Sequence, residues 1–336
     1  MTDSAALSLT EHMLLARVAR GFYLDERSKS ELAAELGVSR FRIARLLDEA
    51  RRVGIVDIRV QSPLGFDADL SLSLQERFGL EHALVIDSDD DQPEELRRNL
   101  GRVTAELLTG VVTRGDVIGL AWARSLRAIG DTAPQLPPCP VVQLTGAISG
   151  PDGSDVLELV RRVAKSSGGS AHVFYAPLVT PDASSARMLL RQPEVARAFD
   201  LTTRVSVAAV GIGAWQPGLS TIFDVVEPRD RDRASALGAV GEISGVLIDA
   251  AGAPVTTPLA RRIIGVDGAQ LRRIRTVIAV AYGARKADAV RAALAGGLVN
   301  GLVTHSALAR ALLSGEPCVD APSPARRRTK VAADAG

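Results

Sequence analysis

The chain has 336 residues, 46% hydrophobic and 24% charged, an ordinary composition for folded soluble protein and long enough for two domains at roughly 100 to 200 residues each. Wholesale disorder and collagen-like repeats are excluded. Forty basic against 39 acidic side chains leave a formal net charge of +1, so attraction to nucleic acid or membrane has to be sought in local charge.

Cys139 and Cys318 form no CxxC pair and no zinc spacing, and the first residues carry no basic-then-apolar leader. This points to a reducing, cytoplasmic setting. Apolar runs such as 205–210 and 277–281 are far shorter than the ~20 residues that cross a bilayer, and they predict buried strands.

Leu14, Leu15, Val18, Ala19 and Phe22 recur at helical spacing, which predicts an amphipathic helix over 11–24. Ser28 with Glu31 three residues on is a capping box, and Leu32, Ala33 and Leu36 give the helix that follows a buried face. Gly37 is suited to the left-handed turn that ends that helix. Val38 fills the corner, and Ser39 caps a third helix with Ile43, Leu46, Leu47 and Ala50 as its inner stripe. Turning that stripe inward leaves Arg40, Phe41, Arg42 and Arg45 outside near the helix N-terminus, the position from which a recognition helix meets the major groove of DNA. Between Ser39 and Val53 five arginines face only Asp48 and Glu49, a local excess of three positive charges. Gly54 breaks the helix, and 55–60 alternates apolar and polar like the strand of a wing. The expected DNA-contacting set is Ser28, Ser39, Arg40, Phe41, Arg42 and Arg45, in a domain spanning 1–61. A surface helix that merely carries arginines is the plainer alternative.

From about residue 62 short β-branched runs alternate with helical stretches, the pattern of a parallel sheet with crossover helices. Strands are expected at 83–86, 117–121, 141–144, 173–175, 205–211, 243–248, 276–281 and 301–304. The helices between them include 96–112, 155–166, 192–200 and 287–295. Such α/β domains bind ligands where strands end and helices begin. Polar groups just after strands are therefore the candidate site: Trp122-Ala123-Arg124-Ser125, Gln143 with Thr145, Gly211 with Gly213, Glu242, and Lys286. Arg124 can grip an anion with two parallel hydrogen bonds, and Glu242 can accept from sugar hydroxyls. Gly211-Ile212-Gly213 meets Gln216 where a dinucleotide fingerprint needs a third glycine, so no nucleotide cofactor is expected. The histidines His12, His82, His172 and His305 are scattered and suggest no metal. Residues 319–336, rich in proline and alanine with Arg326, Arg327, Arg328 and Lys330, read as a disordered basic tail.

The helix-turn-helix followed by GDVIGLAWARSL, VVQLTG, VGIG, GAVGEISG and YGARKADAVRAALAGGLVNGLVT resembles the SorC family of bacterial sugar-responsive transcriptional regulators over nearly all of residues 10–315. Each motif alone is weak; their number, order and spacing are specific. The resemblance implies a winged helix-turn-helix joined to a Rossmann-like α/β effector domain (62–318) similar to sugar-phosphate isomerases. It further implies that a sugar, polyol or sugar phosphate alters operator binding, in dimers or tetramers. By the same resemblance Trp122, Ala123, Arg124 and Ser125 match a phosphate-cradling loop, with Gln143, Glu242 and Lys286 as further contacts. The chain departs from the pattern at Ala123 and Ser125, where glycine and threonine are common. Ala147 replaces a second glycine, Tyr282 a small residue, and His305 a frequent aspartate. Ala123 would crowd a phosphate that approaches the backbone closely, which keeps a non-phosphorylated sugar or polyol open. The contrasting reading is an isomerase or deaminase with an added N-terminal domain. It lacks an obvious second acid or histidine beside Glu242, so a non-enzymatic regulator is expected.

Overall fold

Each turn signal in the first sixty residues is answered by a hydrogen bond in the computed structural model, which describes residues 8–56, 65–88, 93–132, 134–148 and 156–315. The chain separates into two compact units, Met1–Gln61 and Ser62–Gly336. In the first, helices α1 (Leu9–Tyr23), α2 (Lys29–Leu36) and α3 (Arg40–Arg52) follow one another through short turns. Ser8 and Ser28 form reciprocal capping boxes with Glu11 and Glu31, and the Ser39 hydroxyl accepts from the Arg42 amide at 3.2 Å. Gly37 sits at φ 62°, so the chain reverses there without a side-chain penalty and α3 starts three residues later. Val18, Leu32, Ile43 and Leu47 are buried together, with Leu15, Ala19 and Ala50 beside them, and Ile55 and Val56 pack against these last three. The remainder of the expected wing strand, 57–60, and the expected tail, 319–336, lie outside the described residues.

The second unit runs α4 (Ala68–Phe78), β1 (His82–Ile86), α5 (Pro93–Val111), β2 (Ile118–Leu120), α6 (Arg127–Thr132), β3 (Val141–Gln143), α7 (Val156–Ser167), β4 (Ala171–His172), α8 (Ala183–Leu190), α9 (Pro193–Asp200) and β5 (Val207–Ala214). It continues with α10 (Thr221–Val225), α11 (Pro228–Ala236), β6 (Gly241–Ile243), β7 (Val246–Ile248), α12 (Gly268–Arg273), β8 (Thr276–Val280), α13 (Ala287–Ala295), β9 (Gly301–His305) and α14 (Ser306–Ser314). Among the described residues β1-β9-β8-β5-β2-β3-β4 form one sheet in that order, every neighbouring pair parallel. Strand alternation divides its side chains between two cores. Ala208, Val210, Val277 and Ala279 join Leu74, Val290 and Leu308 from α4, α13 and α14. Val207, Ala209, Ile278 and Val280 join Leu100 and Val160 from α5 and α7. This is the parallel-sheet α/β architecture expected from the sequence.

Two expected strands are corrected. The run 173–175 does not extend the ladder: β4 ends at His172, and the Phe174 amide donates instead to the Gln143 side chain at 3.0 Å. The run 243–248 is not a parallel strand. A two-residue turn at Ser244-Gly245, both at positive φ, folds it into the antiparallel hairpin β6–β7, which pairs with the end of β5.

At the amino edge of the sheet, just before β2, β5 and β8, the buried Asp116 carboxylate accepts from Thr113 N (2.8 Å), Ser206 Oγ (2.7 Å) and Arg275 Nη2 (3.0 Å). Burial alone would raise its pKa, but these hydrogen bonds outweigh it and hold the group at about 2. A folded-state value below the unfolded one contributes stability that is present above about pH 4 and lost as pH falls toward 2. Denaturant titrations at pH 6 and pH 3 should therefore show an acid-induced loss in the wild type that is smaller in Asp116→Asn by on the order of 1 kcal/mol.

Candidate functional site

A cleft lies along the carboxyl edge of four adjacent strands, β8, β5, β2 and β3. Parallel strands deliver all their carboxyl ends to one edge, which is why residues as distant in sequence as Trp122 and Lys286 meet there. Of the residues expected at the site, Trp122, Ala123, Arg124, Ser125, Thr145, Gly211, Gly213, Glu242 and Lys286 line it.

Gln143 does not. Its side chain is fully buried, its Nε2 donates to the Thr145 carbonyl at 2.7 Å, and its Oε1 accepts from Phe174 N. Both ends of the amide are spent bracing the segment after β3, and Thr145 Oγ1 in turn accepts from the Trp122 amide at 3.4 Å. Ser125 is likewise buried, its hydroxyl 3.5 Å from the Val280 carbonyl, whereas Arg124 is exposed.

The hairpin wall is tighter. Glu242 accepts from Ser220 Oγ at 3.1 Å and from Gly245 N at 3.2 Å. A Cβ at Gly213 would stand 2.5 Å from Glu242 Oε1 and 2.8 Å from Ser220 Cβ, so only glycine lets the carboxylate lie against β5. At Gly211 the space a side chain would need is taken by the Ala123 methyl group, 2.5 Å from an added Cβ. Lys286 Nζ donates to the Ile212 carbonyl at 3.1 Å and lies 5.0 Å from the centre of the Tyr282 ring. Arg97 of α5 donates to the Tyr282 hydroxyl at 3.3 Å.

Electrostatics follow from this crowding. Burial pushes the Glu242 carboxyl above the usual carboxylate range, and the hydrogen bonds from Gly245 and Ser220 with the Lys286 charge offset only part of it. Burial pushes the Lys286 ammonium down to about 8; Glu242 pulls it up and Arg124 pushes it further down. Burial thus works against the charged form of both partners, and their mutual attraction works the other way. The cleft combines these with an exposed guanidinium and several hydroxyls, a lining that can hold a polyhydroxylated molecule and one anionic group. Among the described residues no cluster of three or more histidine, cysteine or acidic side chains is placed to hold a metal.

Ser220, Thr221, Ser244, Gly245 and Tyr282 also line the cleft, outside the set expected from the sequence. Ser220 caps α10, its hydroxyl accepting from Phe223 N, a role that in sequence carries no sign of a cleft. Ser244 sat inside what read as one strand.

In the first unit Arg40, Phe41, Arg42 and Arg45 are all exposed on α3, Phe41 at 85%. Arg51 and Arg52, by contrast, pair with Asp48 and Glu49. The Ser28 and Ser39 side chains accept hydrogen bonds from their own helices.

Residues 62–314 match the family model described as "Putative sugar-binding domain". The chain is 31% identical to the transcriptional regulator LsrR of Klebsiella pneumoniae over 322 residues, covering 92% of this chain and 95% of that one. It is 27% identical to the sorbitol operon regulator of the same organism over 308 residues, covering 89% and 97%. The crystal structure of that full-length regulator, SorC, superposes with a TM-score of 0.67 at 25% identity, covering 90% of this chain and 99% of it. These relatives are transcriptional regulators, so the isomerase or deaminase reading finds no support. The chain belongs to the SorC family of sugar-binding transcriptional regulators.

Proposed function

We propose that this regulator reads operator DNA with α3 and that a sugar, polyol or sugar phosphate seated in the sheet-edge cleft sets its operator affinity. The observation that carries the reading is the cleft: nine residues chosen from sequence for ligand chemistry converge on one cavity. The exposed Arg40, Arg42 and Arg45 and the bare Phe41 ring support the first half. Guanidinium forks match guanine edges and phosphates, and an apolar ring suits a thymine methyl group. In this reading α2, the Gly37 turn and α3 form the helix-turn-helix, residues 55–60 its wing, and residues 1–61 the DNA-binding domain. The α/β unit is its sensor, 62–318, on a scaffold like that of sugar-phosphate isomerases, and 319–336 is a basic tail.

The effector carries several hydroxyls, held by Glu242, Ser220 and Thr145, and any phosphate goes to Arg124 and Lys286. The name of the sorbitol operon regulator favours a polyol or its phosphate among these. Ala123, whose methyl group covers Gly211, keeps a phosphate from pressing on that strand. Coupling needs an effector that distinguishes two states of the protein, typically by about 1 to 3 kcal/mol. A dimer or tetramer supplies paired reading helices for a palindromic operator. The protein works in the cytoplasm, and among the described residues no helix is long and apolar enough to cross a membrane.

Arg42→Ala and Arg45→Ala should each weaken specific operator binding by about 1 to 3 kcal/mol where the side chain meets a base. Gel-shift titration checks this, and unchanged affinity in both variants removes α3 as the reading face. Arg124→Ala and Lys286→Ala should fold and bind operator as wild type does yet lose the effector response. If both respond normally, the effector sits elsewhere. Since Lys286 loses its charge as pH rises through about 8, affinity for a phosphate-bearing effector should fall between pH 7 and pH 9. Affinity for a neutral polyol should change much less over that range, a difference that calorimetric titration at the two pH values reads directly.

A further inference from the structure

Ser244 combines three features that protein interiors normally avoid. It occupies the left-handed region at φ 51° although it is neither glycine, asparagine nor aspartate. Its side chain is buried, at 6% exposure, on the wall of the cleft. Its hydroxyl hydrogen-bonds to none of the described residues. Buried hydroxyls are ordinarily paired, and backbone strain of this kind persists where function requires it.

The surroundings fix the group in place. Ser244 and Gly245 are the two central residues of the β6–β7 hairpin, in which Ile243 pairs with Val246 and the turn needs positive φ at both positions. The Gly245 amide is committed to the Glu242 carboxylate, so the turn is locked to the same side chain that faces the cleft. Glu242 accepts two hydrogen bonds from described residues, while a carboxylate has about four acceptor positions. An acidic group beside the turn disfavours phosphate and favours a neutral hydroxyl.

We infer that Ser244 is an effector-contacting residue: its hydroxyl pairs with a neutral hydroxyl of the carbohydrate portion of the effector, on the Glu242 wall of the cleft. The inference rests on the reading of the cleft as the effector site. Ser244 then selects the hydroxyl-bearing part of the ligand, leaving any phosphate to Arg124 and Lys286. The turn is kept strained in the free protein because the residue that would relax it, glycine, has no hydroxyl to offer.

The test uses the full-length protein, its Ser244→Gly and Ser244→Ala variants, and Lys286→Ala as reference. Thermal melts are recorded alone and against D-sorbitol, erythritol, D-ribose 5-phosphate and D-fructose 6-phosphate as probes. Without probe, both Ser244 variants should melt no lower than wild type, since glycine relaxes the turn and both substitutions delete an unpaired buried hydroxyl. With the probe that raises the wild-type melting temperature, half-saturation in both variants should move up about ten-fold. Variants that melt below wild type without probe overturn the inference, because the protein itself would then be using the hydroxyl. Wild-type affinity in both variants, where Lys286→Ala has lost binding, also overturns it and leaves the effector site standing. A wild-type protein shifted by none of the probes refutes the effector reading for these compounds, and this inference with it.

Discussion

The cleft exists because β5 outlasts its neighbours. Its first residues pair in parallel with β2 and β8, as far as Ala209 and Gly211 respectively. From Ile212 to Ala214 the strand continues alone and takes an antiparallel partner, β6. Backbone groups beyond the parallel sheet would otherwise be left unpaired, and the hairpin satisfies them. The same pairing sets Gly213 opposite Glu242, so the carboxylate is carried over the sheet edge on a frame of backbone hydrogen bonds rather than on a free loop. The lack of a side chain at Gly213 is what allows that register.

Once the carboxylate is there, the electrostatics of the site have little freedom. Glu242 is buried and Lys286 is half-buried and close enough for each to move the other's pKa, with Arg124 adding a third charge. Water is partly excluded, so hydrogen bonds and charges in the cleft act with more strength than on an open surface. Tyr282 adds to this by covering one side of the Lys286 ammonium, while Arg97 anchors the ring from α5. A ligand that satisfies the hydroxyl-lined hairpin and the cations at once gains from both; one that offers only charge meets the carboxylate.

The N-terminal unit solves a different problem with fewer residues. Three short helices share a small core, and their ends are held by serine caps rather than by length. With Ile43, Leu47 and Ala50 buried, the helical period leaves Arg42 and Arg45 no place but the outer face. Glu35 ties α2 to α1 through Arg17, and Arg27 reaches the same carboxylate.

Much of this was legible in the chain itself, and the boundary of what was legible is physical. Caps, the Gly37 turn and the inner stripe of α3 are local rules acting over a few residues and were fulfilled where the sequence placed them; the alternation of β-branched runs with helices gave the architecture but misplaced the runs 173–175 and 243–248. Polar groups at strand ends could be named because parallel strands must deliver their ends to one edge. What the sequence could not decide was set by packing between distant segments. Gln143 has the chemistry of a ligand contact, yet the amide of Phe174 and the carbonyl of Thr145 use it up. Ser244 reads as the middle of a strand until the hairpin turns there, and only then does its hydroxyl meet the cleft. Spacing determined which residues share a face or an edge; long-range backbone pairing decided which of them keep a hydrogen bond to spare, because that depends on every neighbour the fold brings near.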